Sequence, residues 1–120
     1  MTTLTLDSPE NPSSYKNEAL AETAATVKTG AGLLVAIDIW NPSNAVAYVQ
    51  VLDATTAVAG ADASIVASFA VPTLSSLHVE LKRPIHCRAA SNPGIRVAAC
   101  TTRLGNGAPS AALSVHVHYK

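Results

Sequence analysis

The sequence predicts an all-β fold: one β-sandwich or jelly-roll-like domain of seven to eight short antiparallel strands, with an extended N-terminal arm. Three observations carry this. Apolar and polar residues alternate with a period of two in several short segments, as strands with one buried face require. Clusters of Pro, Gly, Asn and Ser punctuate those segments at regular spacing. No segment keeps apolar residues at a helical spacing over several turns. At 120 residues, 48% hydrophobic and 13% charged, the chain suits a single folded domain and lies far from disordered composition.

Residues 1–22 read as an arm and lead-in, and residues 23–120 as the sandwich domain. Within the arm, residues 7–17 (DSPENPSSYKN) show no apolar period. Pro9 and Pro12 fix φ and bias the residue before each toward extended backbone. Tyr15 is the one large side chain there, an anchor with an apolar ring and a hydroxyl. Residues 20–28 make a first short strand. Next, Leu33, Val35, Ile37 and Ile39 share one face and Leu34, Ala36, Asp38 and Trp40 the other. A strand apolar on both sides belongs in the middle of a sheet.

Residues 41–44 (NPSN) form a turn, with residues 45–53 as the return strand. A loop of small residues, 54–62, leads to a strand at 64–71. Leu77, Val79 and Leu81 then alternate with His78, Glu80 and Lys82, giving a strand with one wet face. Residues 84–91 and 95–102 are expected to pair as a hairpin. Matching Ile85, Cys87 and Ala89 to Ile95, Val97 and Ala99 requires the three-residue connection Asn92-Pro93-Gly94. In the last strand Leu113, Val115, Val117 and Tyr119 face inward, with Ser114, His116, His118 and Lys120 outward.

Alanine supplies 22 of the 58 apolar residues and only five residues are aromatic. A methyl buries far less area than a Val, Leu or Phe side chain. The core therefore reads as thin, which points to stabilisation by association. Charge is balanced overall but lopsided along the chain. Residues 1–63 hold two basic and seven acidic side chains, residues 64–120 six basic and one acidic. If the halves lie on different faces the domain is dipolar and suited to docking; if their strands interleave, the charges mix. No net basic patch with stacking aromatics marks a nucleic-acid partner. No apolar run approaches the ~20 residues of a membrane span. The first residues lack a basic and apolar leader, so synthesis as a soluble cytosolic product is expected.

No catalytic set is legible, and the chain is not expected to be an enzyme. His116 and His118 point the same way from one strand, but no further ligands follow them in sequence. A solvated strand face, with no metal and no cofactor, is the expectation. There is no G-x-S-x-G elbow. The Gly-x-Gly pairs at 30–32 and 105–107 precede strands or loops and so lack the helix of a phosphate cradle. In the hairpin register Cys87 and Cys100 point to opposite faces, whereas a one-residue shift would set them opposite each other; two buried thiols are expected.

Residues 25–34 (ATVKTGAGLL), Ile39-Trp40-Asn41-Pro42, residues 47–54 (AYVQVLDA), 94–102 (GIRVAACTT) and 113–120 (LSVHVHYK) carry a family likeness. This pattern, covering residues 25–120, resembles small bacteriophage virion structural proteins of the capsid decoration or cement type. The resemblance implies a virion protein, made in the host cytoplasm, that binds the outside of the major capsid lattice and stabilises the head. Its partner would be the major capsid protein or another virion protein, and it would form homo-oligomers, trimers being favoured. A tail, neck or baseplate component would look the same in sequence. A carbohydrate-binding sandwich module is a further alternative, which would want exposed aromatic platforms. Residues 7–22 have no counterpart in the pattern. The candidate partner-binding residues are Pro9, Pro12 and Tyr15 of the arm and the basic Lys82, Arg83, Arg88 and Arg96.

Overall fold

Burial alternating with exposure along short segments organises the chain into strands. The computed structural model describes residues 12–89 and 91–120. Eight strands follow in order: β1 (Ser13–Leu20), β2 (Ala25–Thr29), β3 (Gly32–Asn41), β4 (Ala47–Leu52), β5 (Ile65–Val71), β6 (Ser75–Cys87), β7 (Gly94–Cys100) and β8 (Leu113–Tyr119). Among the described residues the only helical element is a single 3-10 turn, Asp62–Ser64. Sheet one has the order β1-β8-β3-β6 and sheet two the order β2-β7-β4-β5. Every neighbouring pair is antiparallel. Two four-stranded sheets with consecutive strands mostly switching between them make a jelly-roll sandwich.

The core lies between the sheets. Leu34, Ile37 and Ile39 of β3, Val49 and Val51 of β4, Ile95 and Val97 of β7, and Leu113, Val115 and Val117 of β8 are buried there. One extra residue in β3 redirects its faces. Tyr119 pairs with Leu34 and His118 with Ala36, so Val35 bulges. A bulge of one residue flips the side chains beyond it. Leu34 therefore joins Ile37 and Ile39 in the core, where strict alternation had put it on the opposite face. On the other flank of β3, the bulge in β6 is wider. Leu34 pairs with Ile85 and Ala36 with Glu80, so residues 81–84 stand opposite Val35 alone.

Three sequence expectations are corrected. First, the irregular stretch 7–17 is strand from Ser13 onward. It pairs with β8 from Ser13↔Tyr119 to Asn17↔Val115, and Tyr15 packs against the chain's own core. Among the described residues the first strand of the sandwich is therefore β1, Ser13–Leu20. Its apolar content is low because β1 is an edge strand with a wet outer face. Second, residues 84–91 and 95–102 are not a hairpin: β6 lies in sheet one and β7 in sheet two. Alternation reveals a buried face but not the sheet that supplies the partner. Third, the turn at 41–44 is a corner between sheets, so β4 does not pair with β3. Of the two charge arrangements the sequence left open, the interleaved one holds: each sheet takes two strands from each half of the chain.

Buried amides hold these corners. The Asn41 Nδ2 donates to the carbonyls of Ala45 and Val71 at 3.0 Å and of Pro72 at 3.2 Å, while its Oδ1 accepts from Ser43 N–H and Oγ–H. Gln50, on the outer side of β4, donates from Nε2 to Gly105 O at 2.7 Å and Arg103 O at 3.2 Å, and accepts from Gly60 N–H at 3.0 Å. It fastens the β4–β5 and β7–β8 loops over sheet two. Beneath them Ala24, Leu52, Ala57, Ala98 and Cys100 form a second buried cluster. The alanine-rich composition is thereby put to use, since methyl-sized side chains let loop backbone lie close on a sheet. Cys87 belongs to the main core and Cys100 to this outer cluster; both are free thiols. Burial pushes each up to about 11.

Candidate functional site

The two outer faces differ. Loops seal that of sheet two, whereas that of sheet one carries rows of polar side chains. Pairing register arranges the side chains of sheet one in rows. Lys16, His116, Asp38 and His78 stand side by side across β1, β8, β3 and β6. On one side of this row lie Ser114, Trp40 and Ser76, and on the other Ser14, His118, Ala36 and Glu80. Three of the chain's four histidines thus meet on one face around a single aspartate.

Asp38 is the hub. Its Oδ1 is hydrogen-bonded to His78 Nδ1, and its Oδ2 lies 3.6 Å from His118 Nε2. His78 Nε2 is in turn 3.7 Å from Glu80 Oε1. The rings of His116 and His118, two residues apart on β8, have centroids 4.4 Å apart at a tilt of 40°. Asp38, His116 and His118 each offer one ligand atom, all within 4.8 Å of one another. Among the described residues the buried Nε2 of His116 has no hydrogen-bond partner.

Charge separates the imidazoles. The hydrogen bond to Asp38, then the charges of Asp38 and Glu80, raise the pKa of His78 despite slight desolvation. Burial lowers that of His116, helped by His118 and Lys16, with Asp38 opposing. The lowered pKa favours neutral His116, the form that donates a lone pair. Two imidazoles and a carboxylate are a donor set suited to borderline divalent metals.

Depressions flank the row. Trp40, Ser76, Leu77 and Ser114 line one, and Pro12, Val35, Leu81 and His118 the other. Of the residues proposed from sequence, Pro12 therefore sits beside the β6 bulge that carries the exposed Lys82 and Arg83. Arg88, also exposed, lies with His86 and Lys120 along the same end of the sandwich. Arg96 is placed elsewhere. Its guanidinium donates to the carbonyls of Thr55 at 3.0 Å and of Ala57 and Ala24 at 2.8 Å, an internal clamp on the loop over sheet two. Tyr15 faces its own core, and its hydroxyl accepts from Asn17 Nδ2 at 3.1 Å. Pro9 lies outside the described residues.

Sequence reasoning paired His116 with His118 but missed Asp38 and His78. His78 reads as lying on a wet strand face and Asp38 on a strand apolar on both sides, and neither reading reveals register. Comparison with protein-family models, with curated proteins and with solved structures finds no match to this chain.

Proposed function

We propose that this chain is a bacteriophage virion structural protein, a capsid decoration or cement protein that docks on the outside of the major capsid lattice and stabilises the head. One observation carries the reading: the residues behind the family resemblance are those that fix the corners of the fold. Asn41 is the buried corner staple. Asp53, in the run 47–54, accepts from Arg88 N–H at 2.7 Å and Gly94 N–H at 3.4 Å, tying down the crossing from β6 to β7. Gly94 has no room for a side chain, since a Cβ there would lie 2.7 Å from Lys28 O. A likeness at such positions supports the reading, because they hold the architecture of this chain together.

The surface supports assembly. Trp40, Val46 and Leu74 are exposed where β3 ends. Lys82, Arg83, Arg88 and Lys120 are exposed where β3 begins. Two ends of different chemistry suit packing between unlike neighbours in a lattice. Mixing purified protein with heads that lack it tests this reading. Saturable co-sedimentation and a raised head melting temperature are expected, with Lys82→Glu/Arg83→Glu weakening binding; no association with any particle fraction contradicts it. Binding to tails and not heads would move the protein to the tail, neck or baseplate.

Trp40 favours a second reading. It is 44% exposed and flanked by Ser76 and Ser114 on an open sheet face, the kind of platform on which a sugar ring stacks. Glycan binding that Trp40→Ala abolishes would establish a carbohydrate-binding role.

A further inference from the structure

We propose that Asp38, His116 and His118 form a divalent transition-metal site, of the zinc class, on the outer face of sheet one, with His78 as the residue that positions Asp38. The site rests on the geometry of that sheet and is independent of the virion reading.

Antiparallel register brings the donors together. His116 and Asp38 are direct cross-strand partners, and His118 is the next outward residue along β8. Their donor atoms lie within 4.8 Å of one another, and the His118 Nε2 to Asp38 Oδ2 separation is already 3.6 Å. Zinc bonds of about 2.0–2.2 Å set neighbouring tetrahedral donors about 3.3 Å apart. Side-chain rotation of about an ångström closes the set. Two nitrogens and one carboxylate oxygen select zinc, nickel, cobalt or copper over magnesium and calcium, which take oxygen ligands.

Two further features point to an ion. A simple ion-pair network explains Asp38, which bonds His78 and faces His118, but it leaves His116 unaccounted for. Among the described residues that ring holds a buried Nε2 with no partner, beside a second imidazole whose centroid lies 4.4 Å away. A cation between them gives the pair a common task. Meanwhile Asp38 presents one oxygen to His78 and the other to His118, the arrangement in which an outer hydrogen bond orients a ligating carboxylate. Three protein donors leave at least one coordination position open. It would be filled by water, or by a side chain of a docked neighbour.

Calorimetric titration of the full chain with Zn²⁺, alongside its melting temperature and the visible spectrum of the Co²⁺ form, tests the proposal. One ion per chain is expected, with a raised melting temperature and the absorption of low-coordinate cobalt. His116→Ala and His118→Ala should each abolish these, and His86→Ala, on the same sheet but outside the site, should preserve them. His78→Ala should weaken affinity about 10- to 100-fold while keeping stoichiometry and the cobalt spectrum, as removal of an outer partner does. Circular dichroism of each variant confirms folding, and His116→Gln provides a milder substitution if the alanine variant unfolds. Absence of binding at millimolar Zn²⁺, or binding that survives loss of both His116 and His118, overturns the site.

Discussion

Asn41 shows how much of a fold one side chain can hold. As a sequence feature it is a turn residue before Pro42; in the structure it is fully buried and bonded to three carbonyls and to Ser43. Its depth was not legible, because a turn between strands of one sheet and a corner between two sheets share the same residues. Asn41→Ala should destabilise the protein by about 3 kcal/mol in urea unfolding, since several buried carbonyls lose their donor. Ser68→Ala, whose hydroxyl makes one exposed bond to Arg103 O, should cost well under about 1 kcal/mol. The buried thiols give a pH test. Each folded pKa of about 11 stands above the ordinary 9.0, so between those values the unfolded thiols ionise while the folded ones keep their protons. Stability present below pH 9.0 is thus lost as pH rises toward about 11. A Cys87→Ala/Cys100→Ala variant should show a flatter melting profile across that window, and the native thiols should resist alkylation at pH 8.

Strands were easier to find than their partners. β3 and β8 follow from period-two alternation, and β4 and β5 from the turns and loops around them. From Leu77, Val79 and Leu81, β6 is legible only as far as Lys82, and its continuation through Cys87 reads as a separate strand. Pairing is a long-range property, which is why the β6–β7 hairpin and the β3–β4 return failed. It is also why the Asp38 cluster stayed hidden while its two β8 histidines did not. β1 escaped because its inward residues, Tyr15 and Asn17, are an aromatic and an amide in place of an aliphatic stripe. Since β1 covers the edge of β8, deleting residues 1–17 should lower the melting temperature by several degrees or unfold the domain. Unchanged melting would show that the β1–β8 ladder contributes little. The loops over sheet two offer a second test: Gly60 has φ +79 and a Cβ there would lie 3.1 Å from Gly105. Gly60→Ala should cost about 1 kcal/mol or more, because the strained backbone and the close contact add.

For the whole molecule, part of the alanine content has a use that composition did not reveal: Ala24, Ala57 and Ala98 help loops pack on sheet two as a second buried layer. The burden of explaining assembly passes to the surface: the open face of sheet one, an apolar end at Trp40, Val46 and Leu74, and a basic end at Lys82, Arg83, Arg88 and Lys120. That division supports a molecule that packs between unlike neighbours, as proposed for a decoration protein. The most direct measurement is a cryo-EM reconstruction of phage particles released from cells that express the chain, with mass spectrometry of the same preparation. The expected result is the eight-stranded sandwich at symmetry-related positions on the outside of the head, contacting the capsid lattice. Particles that are complete without the protein would contradict the proposal.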